Sequence, residues 1–290
     1  MSSSNTMRTW EVLIDSYVKL PEFFKQVFKN INTAEEDFPY TVYLPKDKNP
    51  FTKRNDTIVS IVNERLHIYE KVNDAINEVM FDFKDIDCIE RGCVLLHSWL
   101  KITGLSEGKL ISYKIDFNTV TEKLFKDLVN LIRFPNLKYA RLMDTTELSK
   151  LDYINTINYK IYSYSIECLT KTEKIVCSIF QPEIFRRINR FSKRKLSPNY
   201  SIILTDKELI VIKEEQSKSK TRENYGVVFS FLPIENINKI SLESSEEEKS
   251  FTLRITTLSN YCSELYYSYD NEANIETLLK NYNESFYKSC

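Results

Sequence analysis

Apolar residues alternate with polar ones through Ile111, Tyr113, Ile115 and Phe117, with Ser112, Lys114 and Asp116 between them. The same period of two returns at Phe251, Leu253 and Ile255 around Thr252, Arg254 and Thr256. This pattern predicts strands with one wet face and one dry face. Two denser apolar stretches, "TIVSIVNERLHIYEK" (57–71) and "YSIILTDKELIVIKEE" (200–215), are each interrupted by a turn residue, Asn63 and Asp206. Both residue types suit a tight turn through their side-chain acceptor, so each stretch predicts a hairpin. The period then lengthens. Val120, Leu124, Leu128 and Ile132 recur at steps of four behind a Thr119-x-x-Glu122 capping box and predict a helix. Ile275, Leu278, Leu279, Tyr282 and Phe286 form a second such stripe, with Asp270 placed to cap it.

Read side by side, the two halves run through the same order of elements. The first half passes through 32–47, a basic gap, 57–71, 77–90, 94–102, 109–117 and a helical tail. The second passes through 170–183, a basic gap, 200–215, 225–240, 251–257, 261–269 and another helical tail. Ahead of the first block, Trp10 to Ile31 predicts two short helices broken at Pro21, with Leu13, Tyr17 and Leu20 on one and Phe24, Phe28 and Ile31 on the next. Ahead of the second, Leu151, Ile154, Ile157 and Ile161 predict a linking helix after Asp144. The expected organisation is two domains, 1–141 and 142–290, each preceded by a helix. Within each, seven antiparallel strands form a strongly bent sheet or half-open barrel whose end one helix plugs, an α+β architecture.

At this point the sequence resembles the pleckstrin-homology-like superfold, and more closely its bacterial members. The cue is "YSIILTDKELIVIKEE" (200–215) followed by "FLPIENINKI" (231–240), where Thr205-Asp206-Lys207 turns one hairpin and Leu232-Pro233-Ile234 leads into the next strand. The resemblance covers about 32–133 and 170–288. It implies a binding fold, whose lipid-binding members hold phosphates at the open end of the barrel.

Composition narrows the chemistry. At 290 residues, 42% hydrophobic and 13% aromatic, the chain has material for a core in each half. A formal net charge of −1 points away from general nucleic-acid binding, so none is expected. Only Gly92, Gly104, Gly108 and Gly226 occur, and no glycine-rich phosphate loop can be written with them. Six scattered cysteines without a C-x-x-C pair, and only His67 and His97 beside them, predict free core thiols rather than disulfides or a metal site. The polar stretch Met1 to Trp10 has no signal-peptide core, and the expected location is the cytoplasm. His67 and His97 both sit in strand patterns and read as sheet residues, so no catalytic constellation, cofactor or metal is expected.

The unusual feature is "FRRINRFSKRK" (185–195). Arg186, Arg187, Arg190, Lys193, Arg194 and Lys195 stand there with no acid among them, in a chain holding 40 basic and 41 acidic residues. The stretch falls between the first two strands of the second block. "KSKTR" (218–222) falls between the third and fourth, and strand parity puts both at one end of an antiparallel meander. Lys218, Lys220 and Arg222 therefore join the six as candidate anion ligands, with a weaker counterpart in the first block at Lys46, Lys48, Lys53 and Arg54. Two roles fit. One is a non-catalytic tandem interaction module that docks on a protein partner or self-associates, with Trp99 and the tyrosines as exposed contact surface. The other is a peripheral binder of anionic lipid or a phosphate ligand.

Overall fold

The computed structural model describes residues 10–29, 38–46, 54–135, 145–170, 173–189, 192–215, 226–245 and 250–287. Along the first half, β1 (Val12–Ile14), β2 (Thr41–Leu44), β3 (Thr57–Val62), β4 (Arg65–Val72) and β5 (Ala75–Asp82) form one antiparallel sheet in chain order. A 3-10 turn, Phe83–Asp85, leads into β6 (Ile86–Val94), and β7 (His97–Ser106), β8 (Lys109–Asn118) and helix α1 (Glu122–Arg133) follow. The second half opens on three short helices, α2 (Thr145–Leu148), α3 (Asp152–Ile157) and α4 (Tyr159–Cys168). Its strands are β9 (Ile175–Gln181), β10 (Ile184–Asn189), β11 (Ser192–Ser197), β12 (Tyr200–Thr205), β13 (Glu208–Glu214) and β14 (Val227–Pro233). A 3-10 turn, Ile234–Asn236, then leads into β15 (Ile237–Ser245), β16 (Ser250–Thr257), β17 (Cys262–Ser268) and the closing helix α5 (Glu272–Tyr287). The fold is α+β, and among the described residues the strands form open sheets with no closed barrel.

By their contacts, the residues divide into two units. One is Met1–Ile86 with Leu96–Leu100 and Gly104–Lys138; the other is Asp87–Leu95 with Lys101–Thr103 and Tyr139–Cys290. In the first, Ile58 and Tyr69 stand opposite each other on β3 and β4 and pack with Ile14, Leu20, Phe24 and Phe28. The N-terminal segment thus covers one face of the sheet. It does so as β1 and two 3-10 turns, Tyr17–Lys19 and Glu22–Phe24, not as the pair of helices expected from its periodicity. Helices this short are marginal alone, whereas Val12–Ile14 can satisfy its backbone on the edge of β2. At the other end of this unit, Phe125 of α1 stacks on Phe117 of β8 with centroids 3.7 Å apart.

The buried face of α1 is Phe125, Leu128, Val129 and Ile132, while Val120 is 59% exposed. The expected stripe through Val120 and Leu124 is displaced because residues 119–121 form a 3-10 turn before the helix. The cap is the Asn118 side chain, which accepts from the Val120 amide at 3.0 Å. The N-cap of the turn is thus one residue earlier than the Thr119 capping box.

In the second unit, β9, β12, β13 and β14 pair antiparallel, and residues 89–93 of β6 pair with 231–227 of β14 as the next strand. Every residue of β12 is buried. Tyr200, Ile202 and Leu204 pack with Leu253, Leu265, Ile275 and Leu278 from β16, β17 and α5. The opposite face meets α4, where the Ser165 hydroxyl lies 3.3 Å from that of Ser201 and Tyr164 stands edge-on to Phe229 at 5.7 Å. Each fully buried aliphatic side chain here is worth about 1.5–3 kcal/mol relative to exposure. The expected linking helix is broken at Asn158 (φ −150, ψ 94), whose side chain accepts from Ile161 N and caps α4. Leu151, Ile154 and Ile161 are buried as expected, and the break leaves Ile157 58% exposed.

The two matching hairpin turns are made differently. Asn63 and Glu64 both have positive φ, 50 and 59, a turn that suits the twist of the strands. In the second unit the Thr205 hydroxyl accepts from the amides of Lys207 and Glu208 at 3.2 and 3.0 Å, while the Asp206 carboxylate turns away to Lys174 N at 2.8 Å. Gly104 of β7 lies against the chain where β6 begins. A Cβ there would fall on the Asp85 carbonyl oxygen and 2.9 Å from Ile86 Cα, both rigid backbone. Gly104→Ala should therefore cost about 1–3 kcal/mol, the usual penalty for overpacking, measured by urea denaturation; an unchanged midpoint would show that the close approach is not needed.

Candidate functional site

The basic stretch forms a two-stranded hairpin between β9 and β12. In its register Phe185 faces Lys195, Arg186 faces Arg194 and Arg187 faces Lys193, with irregularities after Ile184 and Arg187. Ile184 and Leu196, at the foot of the two strands, are half-buried, while farther out cations stand opposite cations. Its foot is pinned by Asn199. The Asn199 side chain accepts from Glu183 N at 3.0 Å and donates to the Glu214 carboxylate at 3.1 Å.

Arg186 and Arg194 are exposed. Lys195 is half-buried, 2.6 Å from the Glu183 carboxylate and 5.8 Å above the Phe185 ring. The stretch 185–195 lacks acids, but Glu183 stands just outside it and supplies one. Arg187 and Lys193 lie on the hairpin strands by backbone; Arg190, Lys218, Lys220 and Arg222 lie outside the described residues. Glu183, Phe185 and Asn199 were not singled out in the sequence. Phe185 could have been, as an aromatic flanking a run of cations.

Beside the hairpin's foot a cavity of about 330 Å³ opens, floored by Tyr200 and Leu265 and edged by Lys213, Glu214, Glu215 and Glu264. Glu214 is 3.6 Å from Lys160, and Glu264 is 2.9 Å from Arg254. Burial pushes the Tyr200 hydroxyl well above its ordinary value, and that hydroxyl donates to Tyr266 O at 2.6 Å. The lining is richer in carboxylates than in cations. An anion would thus find its counter-charges on the hairpin and not in the cavity.

The first unit's weaker basic gap is built for something else. Arg54 donates to Glu11 at 2.5 Å, to Asp116 O at 2.9 Å and to Pro45 O. Glu11, 5% exposed, also accepts from the Thr121 hydroxyl at 2.6 Å. Arg54 is a structural cation here, Lys46 is exposed, and Lys48 and Lys53 lie outside the described residues.

Trp99 is 9% exposed, with His97 stacked beside it at 5.6 Å and the Lys114 ammonium 5.4 Å from its ring. This corrects its expected exposure: the indole sits on the buried side of β7. His67 bonds Glu78 at 2.7 Å, and His97 bonds Asp116 at 2.9 Å. Cys88 and Cys168 are buried thiols, Cys88 pushed up to about 12 by desolvation, whereas Cys262 is exposed. Among the described residues no group of three His, Cys, Asp or Glu could hold a metal ion, and no helix is long and apolar enough to cross a membrane. Neither a protein-family model nor a curated protein matches this sequence. Glu11→Ala would leave the Arg54 guanidinium half-enclosed without its carboxylate and should destabilise the protein by about 3–5 kcal/mol in equilibrium unfolding. A loss below about 1 kcal/mol would show that solvent replaces the pair.

Proposed function

We propose that the chain is a non-catalytic interaction module built from two pleckstrin-homology-like units, with the β10–β11 hairpin as the surface that binds an acidic protein partner. The order of elements supports the fold assignment: a four-stranded meander, a 3-10 turn, three further strands and a closing helix occur twice. The hairpin's register carries the binding role, because Arg186 faces Arg194 and Arg187 faces Lys193 across the ribbon. Like charges directly opposed destabilise a strand pair, and a bound anion removes that repulsion. The second reading, docking on anionic lipid headgroups, is favoured by Phe185, 49% exposed beside Lys195. An aromatic ring next to cations suits the headgroup boundary, where each cation near the surface contributes about 1 kcal/mol.

Replacing Arg187, Arg190 and Arg194 together by Glu should abolish binding to an acidic polypeptide while moving the thermal midpoint little, the expectation if the three charges serve binding and not folding. Co-sedimentation with phosphatidylserine vesicles across a salt series separates the two readings: capture that fades with salt assigns the hairpin to lipid, and none leaves the protein partner. Unchanged binding after the triple reversal would remove the hairpin from the function altogether.

A further inference from the structure

The fourth strand of each four-stranded meander ends in the same local structure. Asp82 precedes the turn Phe83–Asp85 at φ −67, ψ 139, and Pro233 precedes Ile234–Asn236 at φ −56, ψ 131. The residue after each cap donates to the matching hairpin turn, Phe83 N to Glu64 O at 3.0 Å and Ile234 N to Lys207 O at 2.9 Å. Counting back from these caps, Ile76, Glu78 and Met80 of β5 hold the places of Val227, Phe229 and Phe231 in β14.

These equivalent edges differ in one respect. On β14 the edge is taken: Val227, Phe229 and Phe231 face Cys93, Arg91 and Ile89 of β6. β5 is the last strand of its sheet, and among the described residues no strand pairs with its far side. It runs for eight residues, with Asn77 and Glu78 exposed. An open edge of that length presents a row of backbone donors and acceptors to any extended chain.

The side chains specify which chain fits. Arg91 on the occupying strand lies over Phe229 at 4.2 Å and pairs with Glu167 at 3.1 Å. At the equivalent place β5 carries a carboxylate, Glu78, held 2.7 Å from His67 and 47% exposed. A cation entering opposite Glu78 would meet its acid directly on the strand. Ile76 and Met80, two positions to either side on the same face, stand where Val227 and Phe231 receive Cys93 and Ile89. We infer that β5 is a docking edge for an extended segment of a partner protein, antiparallel and patterned apolar–x–basic–x–apolar.

The probe is a synthetic nine-residue peptide copying Ile86–Val94 with Cys88 replaced by serine and Cys93 by alanine, which keeps the second apolar position, added to the full chain and read by hydrogen-exchange mass spectrometry and fluorescence anisotropy. The expected result is slowed exchange confined to residues 75–82. Glu78→Lys should weaken binding about tenfold, since an opposite-charge cross-strand pair becomes a like-charge one, while the lost contact with His67, a half-exposed pair, lowers the thermal midpoint only slightly. A peptide with Glu in place of its arginine should then bind the Glu78→Lys protein better than the wild type. No protection at 75–82, or protection only at 227–233 through exchange with β6, overturns the inference. Protection at 75–82 that rises with protein concentration and needs no peptide also overturns it, assigning the edge to a second copy of this chain.

Discussion

Burial of both faces of the central strands is the constraint on which the rest of the structure depends. β12 has no wet side at all, so one cover is not enough. The core side is closed by β16, β17 and α5 through Leu253, Leu265, Ile275 and Leu278, and the other by α4. In the first unit the segment through Leu20, Phe24 and Phe28 covers the Ile58–Tyr69 face. A four-stranded sheet of this composition without its second cover would expose a continuous apolar surface. The segments ahead of each meander are therefore part of the fold, whatever local conformation they take.

The same logic sorts the cations. Arg54 and Arg91 are drawn into the structure, each fixed by a carboxylate distant in sequence, Glu11 and Glu167. Arg186 and Arg194 stand exposed, opposite each other on the β10–β11 ribbon. Arginines of one type take opposite roles because a guanidinium's role is set by what tertiary structure brings within reach of it. Lys195 lies between these cases, close enough to Glu183 to be paired and close enough to Phe185 to shield the ring.

Period two and period four along the chain were enough to place most strands and both closing helices, because alternation and helical stripes are consequences of burial on one side. The pattern failed where a segment had two ways to bury the same residues. Trp10 to Ile31 carries apolar residues at helical spacing, yet the free edge of β2 offered Val12–Ile14 backbone partners that a short helix could not match. Asn158 carries no mark in the periodicity, and the linking helix breaks there because its side chain caps the next one.

By itself the sequence determined the α+β class, the two closing helices and the place of the basic stretch between β9 and β12, though not that the stretch pairs with itself as β10 and β11, and these follow from local spacing of apolar and charged residues. Only the tertiary structure decided which cations are paired, that Trp99 is buried, and that residues 89–93 complete the sheet edge of β14 while the edge of β5 stays open among the described residues. The reason is physical. Spacing along the chain reports which side of an element is dry, whereas pairing partners and edges depend on contacts between residues far apart in sequence, and no local pattern encodes those.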